Sequence, residues 1–274
     1  MSDAIDLNMG RADTPVSEVV IRATVAENRR MQMAITRRRN KIEQAITGAL
    51  ELLSSGRLVN TGQQICCMDE QTLIDYVEQI KVNGEYALDL ETTGLDPYCG
   101  EIVGFCIYTP NPAENRLYVP VGHTDAEGNI LQGQLPISRV FGILADIFEG
   151  DYRYINHMTK FDGKWIKVKY GKWIKNFYWD TWIAAKLLNE NELTHELKPL
   201  YAKYILRTRD DASSFADLFG TSIPFNYMPI DVATIYGAND GYKAYKLMEF
   251  QRKHIDDERR PDMVKIAKLL HDLE

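Results

Sequence analysis

Apolar and polar positions alternate along Tyr86-Ala87-Leu88-Asp89-Leu90-Glu91, so that Leu88 and Leu90 share one face of an extended chain and Asp89 and Glu91 the other. This predicts a strand over about 85–91, and apolar runs predict further strands at about 101–108 and 116–121, with turns at Thr93-Gly94 and Asn111-Pro112. A long turn from Gly122 to Pro136 follows, carried by Asp125, Gly128 and Asn129. From Ile137 onward helices dominate, interrupted by short strands at about 152–156 and 176–179. Upstream, Val20, Ala23, Met31, Ala34, Ile35, Ile42, Ile46, Leu50 and Leu53 recur at helical spacing. They predict a long helix or helix pair from about Val16 to Ser55, started by Thr14 with Pro15 at its first position, closed by Gly56, and packed through its apolar face. A disordered start precedes it, and a loop around Asn60 to Gln64 leads into a helix capped near Asp69. A strand meander followed by alternating elements is an α/β order.

The chain of 274 residues suits one sizeable domain with appendages, and its 45% hydrophobic content is ordinary for a globular protein. It has no apolar run of membrane-spanning length and no signal peptide in Met1-Ser2-Asp3-Ala4-Ile5-Asp6, which excludes a membrane partner and predicts a soluble, cytoplasmic protein. Cys66, Cys67, Cys99 and Cys106 lack zinc spacing and read as reduced thiols. The net charge of −7 divides unevenly: residues 1–60 hold 9 basic and 7 acidic side chains, and residues 61–274 hold 23 and 32. Two basic runs stand against the acidic body. Arg29, Arg30, Arg37, Arg38, Arg39 and Lys41 lie on the long helix, and Lys160, Lys164, Lys167, Lys169, Lys172 and Lys175 are interrupted only by Asp162.

Two unneutralised acids side by side repel each other and favour a cation. Asp89 and Glu91 alone would suit a solvated strand end, but two distant segments add to them. One is Ile155-Asn156-His157-Met158-Thr159-Lys160-Phe161-Asp162, a strand feeding a helix that opens near Asp162. The other is Tyr236-Gly237-Ala238-Asn239-Asp240, where a spacing of four puts phenol and carboxylate on one helical face.

These ordered motifs resemble the DEDD exonuclease superfamily with the tyrosine form of the third motif. Within it they are most similar to the proofreading domain of family A DNA polymerases, especially phage-type ones. Leu117-Tyr118-Val119-Pro120-Val121-Gly122-His123, Asp180-Thr181 and Glu196-Leu197-Lys198-Pro199-Leu200 carry the likeness further, over roughly residues 64–255. The resemblance implies an RNase H-like (DnaQ-like) exonuclease fold, a mixed sheet flanked by helices, with an N-terminal helical extension over residues 1–60. It also implies a C-terminal helix over residues 256–274, resembling the segment that leads into a polymerase domain.

By the same resemblance the activity is 3′-5′ hydrolysis at DNA ends with two ions, Mg²⁺ or Mn²⁺. Asp89 would bridge both; Glu91 and Asp240 would complete the site of the nucleophile-side ion; Asp162 would hold the other; Tyr236, with Glu91, would orient the attacking water. Thr92 and Leu95 would contact the terminal nucleotide. The family usually carries an Asn where Met158 stands; Asn156 lies two residues upstream and could serve only with a shift of the backbone.

The basic run after the second motif mixes lysines with Trp165, Tyr170 and Trp173. Here the aromatics read as core, while Lys160, Lys164 and Lys167 read as contacts to a single-stranded DNA 3′ end. His157 adjoins the motif and could meet a phosphate or be an ordinary hydrogen-bonded histidine; His123 and His195 read as structural. Three functions stay open: a proofreading exonuclease served by a separate polymerase domain or subunit, in the host cytoplasm if phage-encoded; an RNA-trimming nuclease resembling RNase D; and a silent module that docks a polymerase.

Overall fold

The structure is a computed structural model and describes residues 16–208, 223–256 and 261–272. The expected disordered start and the Thr14-Pro15 helix start lie outside the described residues. The elements run α1 (Val16–Ser54), β1 (Gln64–Cys66), α2 (Glu70–Asn83), β2 (Glu85–Thr92), β3 (Ile102–Tyr108), β4 (Arg116–Pro120), α3 (Ile137–Glu149), β5 (Arg153–Asn156), α4 (Thr159–Tyr170), β6 (Phe177–Asp180), α5 (Thr181–Leu188) and α6 (Leu197–Tyr201). A π-helical turn over Ala202–Leu206, a 3₁₀ turn over Phe225–Tyr227, α7 (Ile230–Ile255) and α8 (Pro261–Asp272) complete the order. The chain divides into two units at Ile42 and Glu43, so α1 runs through the division.

The strands form one mixed sheet in the order β1-β4-β3-β2-β5-β6. The expected meander is present, β2 against β3 and β3 against β4 antiparallel, while β1 with β4, β2 with β5 and β5 with β6 are parallel. Strand β1 starts at the end of the loop expected around Asn60 to Gln64, where no strand was expected. Its three residues are too few to show a period, and it forms because β4 offers a parallel edge to Gln64, Ile65 and Cys66.

Side-chain alternation along β2 sorts the two faces. Tyr86, Leu88 and Leu90 are buried with Leu73, Val77 and Ile80 of α2 and with Val140 and Leu144 of α3. Ala87 faces the other way, into a cluster with Tyr242, Tyr245 and Met248 of α7. Asp89 and Glu91, two and four residues on, therefore face the α7 side, as the sequence pattern predicts. Beyond Glu91 the pairing with β3 slips, so that Thr92 meets Ile102 and Val103 is left unopposed, a bulge that bends the strand end. At its far end α1 joins this packing, since Ala49 and Leu53, with Leu58 just beyond the helix, share a cluster with Val103, Tyr118, Phe225 and Val232. By contrast, Met31, Ile35 and the basic positions of residues 24–41 are exposed.

Candidate active site

The site forms where the central strand, the start of α4 and the middle of α7 meet. Ligand atoms of Asp89, Glu91 and Cys106 lie within 4.8 Å of one another, Cys106 being the β3 partner of Asp89. Helix α7 can come this close because it carries glycine here. A Cβ on Gly237 would stand 3.0 Å from Cys106 Sγ and 3.2 Å from Glu91 Oε1. That approach brings Asp240 and Tyr236, one turn apart on α7, up to the strand acids.

Helix α4 begins at Thr159, three residues before the expected start, and Asp162 sits in its first turn. Its start is held by β6: one Asp180 carboxylate oxygen accepts from Thr159 N–H at 2.8 Å and Thr159 Oγ1 at 3.0 Å, the other from Met158 N–H at 3.1 Å. The same carboxylate caps α5 through Trp182 N–H at 2.8 Å and Ile183 N–H at 3.3 Å. Met158, at φ 62°, ψ 54°, thereby adopts a left-handed turn that costs a non-glycine residue roughly 1–2 kcal/mol. Asn156, at the end of β5, donates its amide to Asp162 Oδ2. So Asn156 reaches Asp162 from the strand, while the Met158 side chain is half exposed.

Burial and crowding decide the electrostatics. Burial, then the charge of Asp240, pushes the Asp89 carboxyl up to about 7, against the pull of Lys198 and Lys243. Burial raises Glu91 well above the carboxylate range, with Asp89 and Asp240 adding to it. Asp162 is raised by burial and then by Asp89, against the Asn156 amide. Asp162 Oδ1 and Asn156 Oδ1 are buried and have no hydrogen-bond partner among the described residues. Orphaned hard oxygens beside carboxylates that resist ionising fit a divalent cation, which supplies the missing partner and charge together. Cys106 fits such an ion poorly: burial, then Glu91 and Asp89, raises its thiol well above the usual value, and hard ions prefer oxygen.

Two lysines complete the site, and the sequence analysis gave neither a role. Lys198 Nζ stands 3.4 Å from Asp240 Oδ2 and 3.5 Å above the Tyr236 ring, and Lys243 Nζ stands 3.3 Å from Asp240 Oδ1. Burial opposes the Lys198 charge, yet Asp240 and Tyr236 raise its pKa above the usual value. Lys198 lies in Glu196-Leu197-Lys198-Pro199-Leu200, so the signal was present as likeness without chemistry. Burial raises the Tyr236 phenol, which stays protonated at neutral pH.

The expected nucleic-acid contacts separate. Thr92 turns back into its own loop, donating from Oγ1 to Gly94 O at 2.7 Å, while Leu95 at the tip is exposed. His157 Nδ1 pairs with Thr181 Oγ1 at 2.9 Å, and burial pulls its pKa down to about 4 against Asp180. His123 is structural, its ring held by Tyr118 OH at 2.6 Å and Met228 O at 2.8 Å. Lys160 and Lys164 are exposed on α4; Lys167 donates to Gly171 O at 2.8 Å. Of the aromatics, Trp165 is core as expected, whereas Trp173 is exposed.

Residues 65–256 match the family model of the DNA polymerase A exonuclease domain, described as 3′-5′ exonuclease. DNA polymerase I of Chloroflexus aurantiacus is 28% identical over 196 residues, 69% of this chain and 19% of that protein. DNA polymerase I of Rhizobium leguminosarum is 28% identical over 185 residues, 63% and 18%. The chain thus spans about a fifth of the length of the curated relatives it matches. Among solved structures, the POL domain of Pol1 from M. smegmatis, in complex with DNA primer-template and dNTP, has a TM-score of 0.52 at 11% identity, covering 74% of this chain and 29% of that one. The catalytic core of RRP6 from Trypanosoma brucei has a TM-score of 0.51 at 15% identity, covering 75% and 51%. At these identities the structural likeness speaks for the fold alone.

Proposed function

Because the chain belongs to the family of 3′-5′ exonuclease domains of DNA polymerase A, we propose that it removes nucleotides from single-stranded DNA 3′ ends as a proofreading module for a polymerase. The observation that carries this reading is the convergence of Asp89, Glu91, Asp162 and Asp240, from three separate segments, around buried oxygens that lack partners. Asp89, Glu91, Asp162 and Asp240 would hold the two ions, Mg²⁺ or Mn²⁺. Such ions acidify a bound water and offset charge on the leaving oxygen.

The protein's own groups do the rest. Glu91 accepts from the attacking water, and the protonated Tyr236 phenol fixes its direction. Lys198 holds Tyr236 and Asp240 together and keeps positive charge at the phosphodiester. Thr92 shapes the loop that carries Leu95 to the terminal nucleotide. The polymerase would lie on the same polypeptide or on a separate subunit in the cytoplasm, and no described helix is long and apolar enough to cross a membrane.

Matched 3′-terminal DNA and RNA strands, single and annealed to a template, test the reading with Mg²⁺ or Mn²⁺ present. We expect stepwise release of nucleotides from DNA 3′ ends, fastest on single strands, and none from the Asp89→Ala protein. Release from RNA alone would assign the site to RNA trimming, and release from neither would leave a docking module.

A further inference from the structure

A groove of about 930 Å³ lies between the loop from Leu95 to Tyr98 and the outer face of α4. The segments that carry Glu91 and Asp162 also line it: Leu95 follows Glu91 by four residues, and Met158 precedes Asp162 by four. Four large apolar side chains stand out of the protein around it, Leu95 86% exposed, Tyr98 81%, Trp173 51% and Met158 50%. Scattered exposed apolar residues are ordinary, but several around one groove mark a surface that binds something.

Charge says what. Lys160 and Lys164 line the same groove one helical turn apart, about 6 Å along α4. Both are exposed and neither forms an ion pair among the described residues, unlike Lys169 and Lys172, which pair with Glu101 and Glu149. One anion lies in the lining, Asp96, whose Oδ1 accepts from Tyr98 N–H at 2.9 Å and shapes the loop. Flat rings beside unneutralised lysines match the two repeating features of a single strand, bases that stack and phosphates that need cations.

We propose that this groove is an extended subsite for single-stranded nucleic acid, in which Trp173 and Tyr98 stack bases while Lys160 and Lys164 neutralise phosphates several nucleotides from the scissile bond. It deepens the exonuclease reading by making turnover depend on strand length.

The test separates binding from hydrolysis. Anisotropy of labelled DNA and RNA strands of two, six and twelve nucleotides is read on the Asp89→Ala protein with Mg²⁺, alone and combined with Trp173→Ala or with Lys160→Gln plus Lys164→Gln. We expect affinity to rise with length in the parent, and each combined variant to lose roughly tenfold or more on the twelve-nucleotide strand and far less on two nucleotides. The lysine variant should also bind with a shallower salt dependence, by about 0.7 for each phosphate it no longer neutralises. Losses equal at all lengths, or no loss in either variant, would overturn the proposal. Preference for DNA or for RNA in these arms identifies the strand. Because Asp89→Ala reports binding alone, a wild-type protein that fails to hydrolyse 3′ ends would end the exonuclease reading and leave the groove standing.

Discussion

Asp180 accepts the backbone N–H of Met158 at 3.1 Å, and through that bond the end of β6 dictates the left-handed turn from which α4 departs. The carboxylate satisfies five donors with two oxygens while almost wholly buried. An Asn at 180 keeps one acceptor and turns an NH₂ group toward donors that need an oxygen. Asp180→Asn should lower stability by about 1–3 kcal/mol and reduce kcat more than it raises KM, because Asp162 loses its fixed approach. Thermal melting and steady-state kinetics check this; a KM effect alone would count against a role in placing Asp162.

Asp89→Ala should abolish hydrolysis in a folded protein. Removing one member of a repelling cluster also stabilises the chelator-treated protein, so inactivity and a higher Tm should appear together. Substantial activity of this variant with Mg²⁺ would end the assignment of Asp89 to the ions.

The pH dependence follows from the same crowding. Ion-free Asp89 titrates near 7 when folded and near 4 when unfolded, so from about pH 4 to about pH 7 the folded state keeps a proton that the unfolded state has released. Stability from this group is therefore lost as pH rises through that window, and Glu91 and Asp162 act in the same direction. His123 and His157, pulled down to about 4 by burial, act oppositely, losing stability as pH falls below about 6.5. Comparison with Asp89→Asn cancels the histidines. The variant should gain on the wild type between pH 4.5 and pH 8 by on the order of a few kcal/mol in EDTA, measured by denaturant melts. A gap that stays constant with pH would refute the shift.

Tyr236→Phe keeps the ring beneath Lys198 and deletes only the hydroxyl. A water-positioning role predicts a loss on the order of a hundredfold in kcat with DNA affinity nearly unchanged. Single-turnover kinetics and anisotropy measure the two separately, and an undiminished rate would remove Tyr236 from the mechanism.

Gly237→Ala places a methyl group 3.0 Å from Cys106 Sγ and 3.2 Å from Glu91 Oε1. Cys106 and Glu91, or helix α7 with Tyr236 and Asp240, must give by a few tenths of an ångström, so activity should fall at least tenfold although no functional group is altered. Gly237→Ala combined with Cys106→Ala relieves the closer contact and should recover part of the loss.

The legible parts of this protein were those written in short periods. Alternation along Tyr86–Glu91 announced both the strand and the side on which its acids stand, and the four-residue spacing of Tyr236 and Asp240 announced a shared helical face. What escaped depended on partners far along the chain. Strand β1 exists because β4 is beside it, Asp180 holds a helix start twenty-two positions earlier, and Lys198 enters the site from a segment with no local chemistry of its own. Trp173 and Trp165 belong to one aromatic-basic run, yet packing buries one and leaves the other exposed.

The alternation along β2 also has a meaning for folding. A slip of one residue against β3 would drive Asp89 and Glu91 into the apolar layer beneath α2 and α3 and turn Leu88 and Leu90 toward α7. Two carboxylates in that layer would cost several kcal/mol each, so the misaligned sheet is closed to the wild-type chain. The acids proposed to serve hydrolysis thus also guard the alignment of their own strand. A protein with alanine at both positions, though relieved of repulsion, should show this second duty as slower or heterogeneous refolding.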